Sequence, residues 1–202
     1  MSPDCRYPAA ARALYDALVD DGFYRTLESA ASPDAAMAKH AMLRYFDYSM
    51  IEAEEHGRLC FPKDRSAGAA LWKLPLDAAI QTSVSSRKKA FIAAHMGNRC
   101  CDVYAAVTGF MHAHTMTVVA EDSWYLSIIG FSPALQGKGH GAGLMKTVLE
   151  ETDRAGIGTF LETFTPRSEP FYERLGYVTR ARFLEPTIGA PYAVMWRRPA
   201  GR

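Results

Sequence analysis

Leu126-Ser-Ile-Ile-Gly-Phe-Ser-Pro-Ala-Leu-Gln-Gly-Lys-Gly-His-Gly-Ala-Gly143 is the stretch whose reading decides the fold: an apolar run, a short spacer, then glycines at every second position. Tyr125 to Phe131 is short, aliphatic and aromatic and stops at Ser132-Pro133, the pattern of a central strand covered on both faces. Beyond the glycines, Leu144, Val148 and Glu151, with Met145 and Leu149 beside them, recur at helical spacing from about Gly141 to Ala155, and Gly156 marks the stop. Gly137, Gly139, Gly141 and Gly143 do not favour a helix, since glycine costs about 1 kcal/mol against alanine in a helix interior. Their reading is backbone access. The N–H groups at a helix N-terminus are unpaired and carry the positive end of the helix dipole, so the stretch predicts a site for a phosphate-bearing ligand such as a pyrophosphate.

Two ligand classes use such a loop. Gly137-x-Gly139-x-x-Ala142 satisfies the relaxed dinucleotide fingerprint, and Glu162, twenty positions past Ala142, stands where a ribose-binding acid is expected. Against it, Ser132-Pro-Ala-Leu-Gln136 separates strand from glycines, and only about sixty residues remain for the further parallel strands of a doubly wound sheet. A dinucleotide is the weaker reading.

Gln136-x-x-Gly139-x-Gly141, after a strand ending Ile128-Ile129-Gly130-Phe131, resembles the acetyl-CoA pyrophosphate loop of the GNAT superfamily of N-acetyltransferases. Phe160-Leu-Glu-Thr163 resembles that family's fifth strand, and Pro170-Phe-Tyr-Glu-Arg-Leu-Gly-Tyr177 its segment with the catalytic tyrosine. Trp124-Tyr-Leu126 together with Leu161-Glu-Thr163 is most similar to the branch that contains puromycin N-acetyltransferase. The likeness is strong from Trp124 to about Val178 and weak in the first half of the chain.

The resemblance implies an α/β (α+β) fold with a mixed central sheet flanked by helices, acetyl-CoA as cofactor, and acetyl transfer to a primary amine, expected on a small molecule. It implies one acetyltransferase domain over 1–202, with helical acceptor-side segments at 34–56 and 77–115 and an acetyl-CoA core at 124–178. It places cofactor contacts at Ile128, Ile129, Gly130, Phe131, Gln136, Gly137, Lys138, Gly139, His140, Gly141, Ala142, Ser168 and Phe171. It also implies that the central strand splays near Ile129-Gly130-Phe131, Gly130 permitting a close approach. One departure stands out: where the family has asparagine, this chain has Arg167-Ser168-Glu169, and Ser168 offers one hydroxyl instead of an amide.

The chemistry needs a route for the amine proton and a proton for the leaving thiolate. Tyr172 is the candidate acid, because a phenol with pKa near 10 keeps its proton at neutral pH. Glu162 is the candidate base or anchor for the amine; the alternative is that it pairs with Arg167 or Arg174. Rival functions are a protein or peptide N-acetyltransferase and a catalytically silent acyl-CoA-binding module.

Composition agrees with an enzyme domain. A chain of 202 residues buries roughly 70% of its unfolded surface, and 49% hydrophobic content supplies the core. A net charge of +1, with Arg87-Lys-Lys89 the one block of like charge, predicts no nucleic-acid partner. No apolar run reaches about 18 residues and the first residues have no apolar leader pattern, so no membrane contact and a cytoplasmic location are expected. Cys5, Cys60, Cys100 and Cys101 form no C-x-x-C pair and read mostly as reduced core thiols. The oligomeric expectation is a monomer or a homodimer.

In chain order, Ala9 to about Asp20 predicts a helix closed by Gly22. Ser32 as cap with Pro33 at the first position starts a second, in which Met37, Ala41, Tyr45, Tyr48 and Ile51 recur at helical spacing until Gly57. Arg58 to Pro62 and Ala67 to Leu74 predict a hairpin across Lys63-Asp-Arg-Ser66, and helices follow near 78–96 and 102–114, separated by Gly97-Asn98. Tyr45, Trp72 and Trp124 are candidate acceptor contacts, each with a core role as the alternative. His112 and His114 point about 200° apart on a helix, so no metal is expected. Glu121 and Asp122 precede the central strand where some members place a base, or form a solvated turn. Phe183 and then Tyr192 to Trp196 predict two closing strands with a turn at 186–191.

Overall fold

The apolar run folds as β3 (Trp124–Phe131), and a six-stranded mixed sheet is built to either side of it. The computed structural model describes residues 5–137 and 139–201. Three helices open it: α1 (Pro8–Leu18), α2 (Gly22–Ala31) and α3 (Ala35–His56). The hairpin β1 (Gly57–Cys60) and β2 (Gly68–Lys73) follows, then α4 (Ala78–Met96) and α5 (Asn98–Thr115). After β3 come α6 (His140–Ala155), β4 (Thr159–Thr163), the short α7 (Glu169–Glu173), β5 (Tyr177–Glu185) and β6 (Ala190–Arg197). The strand order is β1-β2-β3-β4-β6-β5, with β3 and β4 parallel across the α6 crossover and the other pairs antiparallel. The α/β reading therefore holds. A doubly wound dinucleotide fold is built on parallel strands; with one parallel pair among the described residues, the Gly137-x-Gly139-x-x-Ala142 fingerprint lacks the fold it needs.

Two registers position everything else. β3 pairs with β4 only from Trp124 to Leu126, opposite Thr159 to Leu161. Past that point β3 keeps its bonds to β2 and leaves the edge facing β4 unpaired, so the two parallel strands diverge. The second is a bulge. Leu71 pairs with Ile128 but Trp72 with Leu126, which leaves Ser127 without a partner residue, its hydroxyl donating to the Leu71 carbonyl at 3.1 Å. The bulge reverses the alternation of side chains: Trp124 and Leu126 face α6 together with Ile129 and Phe131, whereas Ile128 packs on the opposite face.

Each sheet face has its own core. On one, Leu14, Leu27, Met42, Phe46, Met50, Ile92 and Cys100 from α1 to α5 are essentially inaccessible. On the other, Met145, Val148 and Leu149 of α6 pack with Trp72, Leu161, Tyr177 and Met195. Burying each large apolar side chain contributes about 1.5–3 kcal/mol. Of the cysteines read as core thiols, Cys100 is fully buried, while Cys60 and Cys101 are half-buried.

The structure corrects several boundaries. α2 has no counterpart in the sequence reading: Gly22 opens a helix, and Asp21 caps it by accepting from the Phe23 N–H at 3.0 Å. The cap of α3 is Asp34, bonded to the Met37 N–H at 2.8 Å, because Ser32 is occupied two residues earlier with the Asp34 N–H. Met37, expected on the apolar stripe, is 66% exposed where the first turn of α3 overhangs the core. α5 starts at Asn98, so Gly97 alone separates it from α4. No helix among the described residues is long and apolar enough to cross a membrane.

Gly130 belongs to packing. A Cβ there would lie 2.9 Å from the Ala17 Cβ and 3.1 Å from the Leu14 Cδ2, so the missing side chain admits α1, where the sequence reading had it admit a ligand. Gly130→Val is therefore expected to push α1 off the sheet and lower the thermal unfolding midpoint, overpacking costing about 1–3 kcal/mol. Gly143→Ala, with nothing within 4 Å of the new Cβ, is expected to leave the midpoint unchanged or raise it, by up to about 1 kcal/mol. The reverse ranking would refute this packing account.

Candidate functional site

A cavity of about 1400 Å³ opens where β3 and β4 part and runs between the sheet and α3, α4 and α5. Its lining extends from the glycine loop to polar groups of β2, α3, α4 and β4.

In that loop the four glycines serve different ends. Gly137 and Gly139 sit at φ +73° and +80°, left-handed backbone that strains any residue with a side chain. Gly141 is small because the Phe171 ring would stand 2.9 Å from its Cβ. Gly143 faces open space and meets no such requirement, contrary to the uniform reading of all four. Gly139 is the N-cap of α6, where among the described residues no side chain caps the helix, and no acidic residue occupies the first turn. The N–H groups of His140, Gly141 and Ala142 are thus left to an anion, whereas Asp21 and Asp34 cap α2 and α3. Gln136 turns inward: its Nε2 donates to the Phe131 carbonyl at 3.0 Å and pins the loop to the end of β3. The His140 ring lies 6.1 Å from that of Phe131. Lys138 lies outside the described residues. Ile128, Ile129 and Gly130 line the cavity, as do Ser168, at the end of a short 3-10 turn, and Phe171.

Glu162 lies where the strands part. It accepts hydrogen bonds from the Thr115 hydroxyl, at the last residue of α5, and from Tyr125 Oη at 2.8 Å. The Tyr125 ring stacks on Phe160 with centroids 4.7 Å apart, which fixes the phenol. Burial raises the Glu162 pKa above the usual carboxylate value, against the opposing effects of the two hydroxyls, Lys73 and His112. The arginine alternative is overturned: Arg167 reaches Asp20 at 3.9 Å, and neither it nor Arg174 pairs with Glu162. Glu121 and Asp122 are exposed, as a solvated turn requires.

Tyr172 on α7 is 8% exposed, lines the cavity and packs edge-on against Phe171 and Tyr177. Burial and then the charge of Asp21 push its pKa far up, so it holds its proton throughout the physiological range.

Of the acceptor candidates, Tyr45 is both core and cavity wall at 5% exposure. Trp72 is fully buried in the α6 core yet also borders the cavity, and among the described residues its indole N–H has no hydrogen-bond partner. Trp124 is turned away: the bulge puts it in the α6 core under Arg58, 5.3 Å from its ring, and outside the cavity lining. His114 stacks on Phe110 at 3.9 Å, while His112 faces the cavity; among the described residues no three His, Cys, Asp or Glu side chains could together hold a metal.

The end away from the glycine loop holds groups that sequence reasoning missed. Lys88, noted in the sequence only as the middle of the like-charged block Arg87-Lys-Lys89, is 4% exposed. Its Nζ donates to Ser49 Oγ at 2.6 Å, lies 4.0 Å from Glu52 and sits over the rings of Tyr45 and Tyr48 at 4.5 and 4.9 Å. Desolvation pulls its pKa down to about 7, against the pull of Glu52. The signal for it was helical phase, since Val84, Lys88 and Ile92 share one face of α4 and all are buried. Thr115 and Tyr125 left no such signal, for their roles depend on α5 meeting β4.

The family model described as "Acetyltransferase (GNAT) family" matches residues 64–177, more than half of the chain. An uncharacterized N-acetyltransferase of Schizosaccharomyces pombe is 27% identical over 177 residues, covering 85% of this chain and 70% of the relative. Among solved structures, a histone acetyltransferase HPA2 and related acetyltransferase from Corynebacterium glutamicum superposes with a TM-score of 0.62 at 17% identity, over 97% of this chain and 92% of that one. Arylalkylamine N-acetyltransferase 2 from Aedes aegypti gives 0.61 at 12% identity, over 95% and 94%. At these identities the superpositions speak for the fold.

The buried Lys88 makes stability depend on pH. Its folded pKa of about 7 lies below its unfolded value of about 10.4, so between the two the unfolded chain binds a proton that the folded chain has released. Stability is thereby reduced at and below pH 7 and recovers as pH rises toward 10. Relative to Lys88→Met, the wild-type unfolding midpoint is expected to climb across that window; parallel midpoint curves would show that Lys88 stays charged.

Proposed function

The chain belongs to the GNAT family of acetyltransferases, and from that premise we propose that it moves the acetyl group of acetyl-CoA to a primary amine of a small molecule. The observation that carries this reading is one continuous cavity with an uncapped helix N-terminus in its lining and a buried, hydroxyl-held carboxylate where β3 and β4 part. The left-handed glycines and the first-turn N–H groups of α6 suit a pyrophosphate, and the unpaired edge of Ser127 to Phe131 offers main-chain groups to the amides of a pantetheine arm. Bound acetyl-CoA supplies an acetyl group already activated as a thioester.

The chain's own groups do the rest. Glu162 Oε1 and Oε2 accept the proton that the incoming ammonium must lose, and its raised pKa brings it closer to neutral pH, where proton transfer is best matched. Thr115 and Tyr125 hold that carboxylate in one orientation. Tyr172 Oη keeps its proton and gives it, or a hydrogen bond, to the departing sulfur, worth about 10²-fold. Ser168 stands in for the family's asparagine as a hydroxyl at the wall.

A small acceptor is favoured over a protein because the chamber away from the glycine loop is walled by α3, α4 and α5. The likeness to the puromycin branch supports the same choice, since Tyr125 and Glu162, which meet in the site, come from the two segments that carry it. Residues 1–202 are read as one acetyltransferase domain, with 34–56 and 77–115 on the acceptor side and 124–178 on the acetyl-CoA side. It is read as working in the cytoplasm as a monomer or homodimer.

Release of free thiol from acetyl-CoA on addition of an amine panel tests this. Tyr172→Phe is expected to lower kcat by about 10²-fold with acetyl-CoA affinity kept; an unchanged rate would remove Tyr172 from the chemistry. For Glu162, the limb of kcat/KM that falls with falling pH is expected above the ordinary carboxylate range. Glu162→Gln should abolish that limb together with most of the rate, and a variant that keeps the limb would assign it to another group.

A further inference from the structure

We propose that the acceptor carries an anionic group, carboxylate or phosphate, and that Lys73 receives it at the end of the cavity away from the glycine loop while the acceptor's amine faces Glu162. The inference rests on the acetyl-transfer reading and names its substrate class.

Lys73 ends β2 and pairs across the strands with Tyr125, whose hydroxyl holds Glu162, so Lys73 and Tyr125 share the sheet face that looks into the helical chamber. It is the exposed residue of an otherwise buried strand, and it lines the cavity. Among the described residues its ammonium makes no hydrogen bond and has no carboxylate oxygen within 4.0 Å. Of the nearby acids, Glu162 is held by two hydroxyls, while Glu52, with the Lys88 ammonium 4.0 Å away, keeps a buried oxygen that has no hydrogen bond among the described residues. Their charges still act on Lys73. With Tyr104 they raise its pKa in spite of desolvation, so it remains a cation with three donors to offer.

Cofactor phosphates do not explain this cation. Gly68 pairs with Phe131, where the glycine loop begins, and Lys73 lies five residues further along β2, about 17 Å away at 3.3–3.4 Å per residue. Glu162 is much nearer. Two strand spacings separate Lys73 from Phe160, and Glu162 is two residues along β4, which puts the two Cα atoms about 12 Å apart. Two long side chains reaching inward leave room for a few atoms between amine and anion, the length of a small amino acid or amino phosphate. Phe23, Tyr24, Tyr45 and Tyr104 supply aromatic walls for whatever apolar body it carries.

Calorimetric titration of the full chain, with and without saturating CoA, tests the assignment. The probes are phenylalanine against phenylalaninamide and O-phosphoethanolamine against ethanolamine. Each pair keeps the amine and removes the anion; the two pairs distinguish the carboxylate from the phosphate source. The wild type is expected to bind at least one anionic member about tenfold more tightly than its neutral partner, the effect of one charge-assisted hydrogen bond. Lys73→Met should erase the difference and Lys73→Arg keep it, with acetyl-CoA affinity equal in all three. Equal affinity within both pairs, no binding of either anion, or a preference that survives in Lys73→Met overturns the proposal. If acetyl-CoA binds while the anion makes no difference, this inference alone fails; if acetyl-CoA does not bind, the acetyl-transfer reading fails.

Discussion

The parting of two parallel strands after three residues of pairing is the constraint on which the rest of this molecule depends. A parallel pair inside a sheet is normally paired to its ends, because unpaired main-chain groups away from water are costly. Here Ser127 to Phe131 gives up those bonds on the β4 side while still held by β2 on the other. The break is stabilised from outside. The bulge at Ser127 bends the strand, α1 packs directly on Gly130, and Gln136 ties the outgoing loop to the Phe131 carbonyl. The result is an open, donor-rich edge leading from the α6 N-terminus to Glu162, which an acetyl-transferring enzyme of this family can use.

The chamber beyond is unusual in its charges. Glu52, Glu162, Lys73 and Lys88 line one cavity, and burial weighs most on Lys88, which is almost inaccessible. Hydroxyls hold Glu162 and Lys88 approaches Glu52 to 4.0 Å, while among the described residues Lys73 has neither a hydrogen bond nor a carboxylate within that distance. The aromatic residues are rigid walls. Tyr24, Tyr45 and Tyr104 pack edge-on, with centroids 6.3 to 6.4 Å apart, so the chamber's shape is set by core packing and persists without a ligand.

What could be read from the sequence was what is local in the chain. Strand, spacer, glycines and helix follow one another within residues 126–155, so β3, α6 and the αL stop at Gly156 were all legible, as was the β1–β2 hairpin. Legibility ended where two distant segments meet. Glu162 was singled out, but Thr115 and Tyr125 that hold it come from α5 and β3. Lys88 drew notice only as part of a basic run, yet helical phase turns it inward between Arg87 and Lys89. Trp124 failed for a different reason: one bulged residue reverses which side chains share a face, and nothing in Trp124-Tyr-Leu126 announces it. Gly130 was expected to matter and does, although its neighbour is α1.

In the function proposed above, the open edge and the α6 N-terminus together form an acetyl-CoA site. Thermal unfolding of the purified protein with acetyl-CoA, CoA or NADH tests it most directly. A ligand at 100 times its Kd adds about 2.7 kcal/mol, which for a chain of this size raises the midpoint by roughly 5 to 10 °C. That rise is expected with acetyl-CoA and CoA, and none with NADH. A rise with NADH alone, or with none of the three, would contradict it.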